Sequence, residues 1–117
     1  MRAIQLDLKW LEACSALDEA VLGGLWSSAQ WFRELEDDRR ICLGLVRDEA
    51  LVGVACGWLV VDELQITVLA VDPGHRRQGN GRMLLHSLLQ RARQDGAVHA
   101  TLEVASDNKA AINLYAR

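Results

Sequence analysis

The stretch from Val68 to Leu89 constrains this chain more than any other. Val68-Leu69-Ala70-Val71 reads as a buried strand, and Asp72-Pro73-Gly74 ends it with residues that favour turns. His75-Arg76-Arg77-Gln78-Gly79-Asn80-Gly81-Arg82 comes next, rich in glycine and arginine. Leu84, Leu85, Leu88, Leu89 and Ala92 then form one apolar stripe opposite Arg82, His86, Gln90 and Arg93, and Gly96 closes the helix. A strand, a tight turn and an amphipathic helix in immediate succession require an α/β architecture.

The flanking segments fit such a domain. Residues 3–8 alternate like a short strand, and Trp10, Leu11, Cys14, Leu17, Val21 and Leu22 recur at helical spacing up to Gly23-Gly24. Ser27 or Ser28 is placed to cap a second helix through Trp31, Phe32 and Leu35. The charged run 34–40 reads as that helix's solvated end. Residues 41–46 and 51–61 form a predicted hairpin around Arg47-Asp48-Glu49-Ala50, and Asp62-Glu63 turns the chain into a third strand, 64–71. Such short connections make the three strands antiparallel. Residues 98–104 alternate again, and Ser106 or Asp107 can cap a last helix with Ala110, Ala111 and Leu114 inward. The order β-α-α-β-β-β-α-β-α predicts an α/β fold with a mixed, mostly antiparallel central sheet flanked by helices.

Composition narrows the function classes. A chain of 117 residues supports one domain, 1–117, and is too short for two. Its 50% hydrophobic and 25% charged residues are ordinary globular usage. The apolar runs 51–61 and 66–71 are too short to span a bilayer, and residues 1–9 lack the apolar core of a signal peptide. A soluble, cytoplasmic protein without a membrane partner is expected. Thirteen Lys+Arg against sixteen Asp+Glu give a net charge of −3, which speaks against a nucleic-acid partner. Cys14, Cys42 and Cys56 make neither a disulfide framework nor a CxxC motif, and His75, His86 and His99 lack ligand spacing. Buried thiols, ordinary imidazoles and no metal are expected.

The chemistry concentrates in the loop 76–82. A helix N-terminus offers outward-pointing amides and partial positive charge. Gly79 and Gly81 let backbone approach a ligand, and Arg76, Arg77 and Arg82 add full charges. Together these features make a pyrophosphate cradle. A P-loop would need Lys and Ser/Thr after its second glycine, where Asn80-Gly81-Arg82 succeeds Gly79. A dinucleotide fingerprint would need a small residue where Leu84 stands, normally after the first strand of a parallel sheet. The bland alternative is a glycine-rich turn with solvated arginines.

Leu69-Ala70-Val71-Asp72-Pro73 followed by Arg76-x-x-Gly79-x-Gly81 resembles the acetyl-CoA signature of the GNAT family of N-acetyltransferases. A second block, Leu102-Glu103-Val104 with the segment Ser106 to Tyr115, is similar to the family's later strand and helix. Trp26-Ser27-Ser28 and Asp62-Glu63-Leu64 resemble the subgroup that acetylates the N-terminal alanine of a ribosomal protein. The resemblance implies acetyl-CoA as co-substrate and a protein or peptide N-terminus as partner. It assigns Arg76, Arg77, Gln78, Gly79, Asn80, Gly81 and Arg82 to the pyrophosphate, and Asn108 to the cofactor arm. Backbone groups of Leu69, Ala70 and Val71, at a break in strand pairing, would bind the pantetheine amides.

The resemblance also makes Glu103 the base that takes a proton from the amine and Tyr115 the acid that protonates the leaving thiolate. The strand alternation puts His99, Thr101, Glu103 and Ala105 on one face. Trp26, Trp31 and Phe32 stand where the family forms one wall of the peptide groove, although their helical spacing equally suits plain core. The chain departs from the subgroup at Ala105, where Arg is usual. It also ends at Tyr115-Ala116-Arg117, within the expected last helix. A C-terminally incomplete domain without the family's final strands is therefore expected. Acetylation of another amine (a lysine, a polyamine or a small molecule) is the alternative activity, and a degenerate acetyl-CoA-binding module is the non-enzymatic one.

Overall fold

The computed structural model describes residues 1–75 and 79–102. Tight turns build most of its sheet. Asp48 and Glu49 take φ of 51° and 66° and close a two-residue hairpin between β2 (Arg40–Arg47) and β3 (Ala50–Val60). Turns with two positive φ values match the right-handed twist of the strands they join. The next turn falls on Val61-Asp62, one residue earlier than expected, and β4 (Glu63–Val71) returns antiparallel to β3. Val61 pays for this with φ 57° and stands 92% exposed.

β1 (Arg2–Gln5) pairs antiparallel with β2 on one side of the sheet. On the other side, β5 (His99–Leu102) pairs parallel with β4, which requires a crossover. Helix α3 (Asn80–Gln94) supplies it. The strand order is β1-β2-β3-β4-β5, antiparallel except for the last pair, as the mixed-sheet expectation requires. β1 is shorter than expected because Asp7 accepts a hydrogen bond from the Lys9 amide and begins a 3-10 turn, Leu8–Trp10. The expected last helix lies outside the described residues.

Among the described residues, two helices cover one face of the sheet and one covers the other. α1 (Leu11–Leu22) stops at Gly23, whose φ of 70° only glycine adopts without strain. α2 (Ser28–Glu36) starts at Ser27, whose hydroxyl accepts from the Gln30 amide. Cys14, Leu17 and Trp31 from these helices pack with Cys42, Val54, Cys56, Val68 and Ala70. On the opposite face, Leu84, Leu85, Leu88 and Ala92 of α3 pack with Ile41, Leu43, Leu45, Leu64, Ile66 and Leu69. A bulge in β4 connects the two patterns. Cys56 opposes Val68 while Gly57 opposes Ile66, so Thr67 is the extra residue and the inward parity switches there.

The run 34–40 is not a solvated helix end, contrary to the sequence expectation. Glu34 is only 3% exposed and makes a close ion pair with Arg40, at 2.6 Å. Arg40 also lies 4.7 Å over the Trp58 ring. Hydrophilic spacing alone could not reveal this, because Arg40 already belongs to β2 and meets Glu34 through the fold.

Candidate functional site at the end of strand β4

β4 delivers the chain to the candidate site, and a short series of hydrogen bonds fixes the turn beyond it. The Asp72 amide donates to the Val52 carbonyl at 2.7 Å, carrying sheet pairing one step past β4. The Asp72 carboxylate accepts from the Gly74 amide at 2.8 Å, and the His75 amide donates to the Asp72 carbonyl at 2.8 Å. These bonds shape the 3-10 turn Pro73–His75. From the other side, Asn80 donates its Nδ2 to the His75 carbonyl at 2.7 Å. Turn and helix start are thus pinned together across the loop.

Helix α3 opens on glycine for a definite reason. Gly79 has φ 77° and caps the helix without a side chain, its carbonyl accepting from the Met83 amide at 3.0 Å. No side chain caps the helix start at that residue. Gly81 is different. A Cβ there would meet nothing among the described residues closer than Val71 Cγ2, at 4.0 Å. Glycine inside a helix costs about 1 kcal/mol relative to alanine, so the described packing does not explain its presence. Arg82 is exposed on the same first turn, and Asn80 is buried.

Leu69, Ala70 and Val71 are 1–2% exposed and pair with Ala55, Val54 and Gly53 of β3. The described parallel register with β5 runs from Glu63 opposite His99 to Ile66 opposite Leu102. Leu69, Ala70 and Val71 thus lie farther along β4 than that register. The structure brings this end of β4 together with Gly79, Asn80, Gly81 and Arg82. Arg76, Arg77, Gln78, Glu103, Asn108 and Tyr115 lie outside the described residues.

The aromatic residues divide by position. Trp31 is fully buried and belongs to the core, with Trp26 edge-on to it at 4.8 Å between ring centroids. Phe32 is 44% exposed. The sequence reading missed Asp18, which is 1% exposed and accepts hydrogen bonds from the Leu25 and Trp26 amides and the Trp31 indole. The signal was available, since Asp18 stands four residues after Cys14 on the helix's apolar stripe.

Two of the thiols, Cys14 and Cys56, are poor nucleophiles. Burial, with Cys42 and Asp18 nearby, pushes the Cys14 thiol up to about 12, and burial raises Cys56 well above its ordinary range. Among the described residues no group of three or more His, Cys, Asp or Glu could hold a metal ion, and no helix is long and apolar enough to cross a membrane.

A family model, the acetyltransferase (GNAT) family, matches residues 8–117. Over 90 residues the chain is 38% identical to ribosomal protein bS18-alanine N-acetyltransferase of Salmonella typhimurium, covering 77% of this chain and 60% of that protein. The chain thus matches about three-fifths of that relative's length. It is 34% identical over 110 residues to N-alpha-acetyltransferase RimI of Mycobacterium tuberculosis, covering 89% of this chain and 68% of that protein. Among solved structures, the ribosomal-protein-S18-alanine N-acetyltransferase of Escherichia coli matches with a TM-score of 0.85 and 29% identity. That match covers 98% of this chain and 74% of the other. Sheet order, crossover helix and sequence all agree: the chain belongs to the GNAT family of acetyltransferases.

Proposed function

We propose that this chain transfers the acetyl group of acetyl-CoA to the α-amine of a protein N-terminus, with an N-terminal alanine of a cytoplasmic ribosomal protein as acceptor. The observation that carries the cofactor assignment is the start of α3. Gly79 presents the helix end without a side chain, and the position of Gly81 leaves space that the described residues do not use. That combination fits a pyrophosphate against the helix amides. Arg76, Arg77, Gln78, Asn80 and Arg82 would complete its binding, Leu69, Ala70 and Val71 would hold the pantetheine amides through their backbone, and Asn108 would hold the arm. The names of the relatives support the acceptor.

Acetyl-CoA supplies an activated thioester; the protein supplies positions and proton transfers. An α-amine has a pKa of about 8 and is mostly protonated at neutral pH. Glu103 takes its proton and the free nitrogen attacks the acetyl carbon. The carbon–sulfur bond then breaks as Tyr115 donates a proton to the departing thiolate, the nitrogen's second proton returns to the Tyr115 phenolate, and Glu103 releases its proton to solvent. Direct transfer is in keeping with the raised thiols of Cys14 and Cys56, which are unsuited to carry an acyl group.

Two peptides test the reading by mass spectrometry. One starts with a free alanine, and the other is the same sequence acetyl-capped with an internal lysine. Faster acetylation of the free alanine, by roughly tenfold or more, is expected, equivalent to about 1.4 kcal/mol. Preference for the lysine would instead assign the chain to a different amine. Glu103→Gln should lose turnover at neutral pH and recover part of it at high pH, where the amine is already neutral. Tyr115→Phe should remain slow throughout.

A further inference from the structure

Asp18 is a buried carboxylate that the proposed chemistry does not use. Its Oδ1 accepts from the Leu25 amide at 2.7 Å, and its Oδ2 accepts from the Trp26 amide at 2.9 Å and the Trp31 indole Nε1 at 2.8 Å. Among the ion pairs of the described residues, none involves Asp18. Gly23 and Gly24, with φ of 70° and 82°, already turn the chain between α1 and α2. A buried charge held by neutral donors is a costly way to fasten a loop, and apolar packing often stabilises as well or better. Stability alone does not account for it.

Topology shows where this fastening acts. The Leu6 amide bonds the Cys42 carbonyl, so α1 begins near the start of β2, and α2 also finishes there, leading through residues 37–39 into Arg40. β2 and β4 run in the same direction, each being antiparallel to β3. The loop between α1 and α2 therefore lies at the other end of the sheet, where β4 finishes at Val71 and α3 begins. Trp31 packs in the cluster that contains Val68 and Ala70 of β4, while α3 packs on the opposite face. The loop and the start of α3 thus flank one end of β4 from two sides. The loop side presents Leu25, 42% exposed, and the half-buried Trp26.

We infer that Asp18 is a positioning residue for the acceptor. It holds Leu25 and Trp26 as an apolar wall on the face of β4 opposite α3, against which the first residues of an acceptor peptide lie. This rests on the acetyl-transfer reading. Asp18 itself touches neither substrate; it acts through three donors that its two oxygens keep in register.

Asp18→Asn tests the inference, because the amide keeps the shape and loses one acceptor oxygen. With the full chain, acetyl-CoA and the alanine-starting peptide, the peptide KM should rise about tenfold while kcat changes less than about twofold. The acetyl-CoA Kd, measured by calorimetry, should stay within about twofold of its original value, since α3 lies on the other face. Hydrogen exchange at the Leu25 and Trp26 amides should accelerate, with the β2 and β3 amides unchanged. Trp31→Phe removes a single donor and keeps an aromatic, though smaller, ring in the core, so it should shift the peptide KM in the same direction by less, and it serves if Asp18→Asn does not fold. Equal weakening of both substrates, or an unchanged peptide KM in a folded variant, overturns the positioning role. Absence of acetyl transfer by the unaltered chain is a separate outcome, which defeats the acetyl-transfer reading and this inference with it.

Discussion

Gly79 and Gly81 are two residues apart, and the fold itself requires glycine at only the first of them. Gly79 serves the fold, because φ 77° is a conformation that alanine adopts only at a cost of roughly 1–2 kcal/mol. Gly81 lies in an ordinary helical turn with room for a methyl group among the described residues. Gly79→Ala should therefore lower the denaturation midpoint. Gly81→Ala should raise stability by about 0.5–1 kcal/mol while weakening acetyl-CoA binding. Thermal melts and calorimetry on the two variants separate the roles, and a Gly81→Ala protein that binds acetyl-CoA normally would remove the ligand from the explanation. A second residue-scale effect concerns Cys14. Its thiol stays protonated in the folded chain up to about 12, against 9.0 ordinarily. Between those values the unfolded chain has already released the proton and the folded chain has not, so stability falls as pH rises. Cys56 adds to the same trend through burial. Urea midpoints should decline from pH 9 upward, and more gently in Cys14→Ala; identical slopes would locate the alkaline sensitivity elsewhere.

At the scale of elements, the clearest sequence signals were those set by neighbouring residues. The stop of α1 at Gly23, the cap of α2 at Ser27, the hairpin turn and the stripe of α3 all depend on local spacing, and all appear in the fold. Two features depend on contacts between distant segments, and they were not legible. Thr67 bulges out of β4 because of how β3 pairs with it, so a run buried on alternating faces looks uniformly apolar in sequence. Glu34 looked solvated because its partner Arg40 lies six residues on, in another element. Burial alone would pull the Arg40 guanidinium down; hydrogen bonds and charge from Glu34 and Asp37 outweigh it and hold it above its ordinary value. Glu34→Ala should thus cost about 3 kcal/mol, at the low end for a broken buried pair because Arg40 remains partly hydrated. The loss should shrink in Glu34→Ala/Arg40→Met, where no unpaired cation is left. A double variant as unstable as the sum of its single changes would show that the pair acts independently.

The whole molecule adds a constraint that no single residue reveals. Its net charge is −3, so its far field disfavours an anionic ligand such as acetyl-CoA. Binding must therefore depend on a local source of positive potential, which the start of α3 and the arginines 76, 77 and 82 would provide. Such attraction is short-ranged, since the Debye length is about 10 Å at 0.1 M salt. Acetyl-CoA at a hundred times its Kd should stabilise the chain by about 2.7 kcal/mol, a rise of roughly 10 °C in Tm for a domain of this size. That rise should diminish with added salt at fixed ligand concentration. In Arg77→Glu/Arg82→Glu, far less stabilisation should remain, and the little that does should depend weakly or inversely on salt, because the attracting charges have been reversed. Melting curves with acetyl-CoA at two salt concentrations decide the matter. If the folded double variant kept both the full Tm rise and its salt dependence, the arginines would be only solvated charges on a glycine-rich turn, and the helix amides would have to hold the pyrophosphate without them.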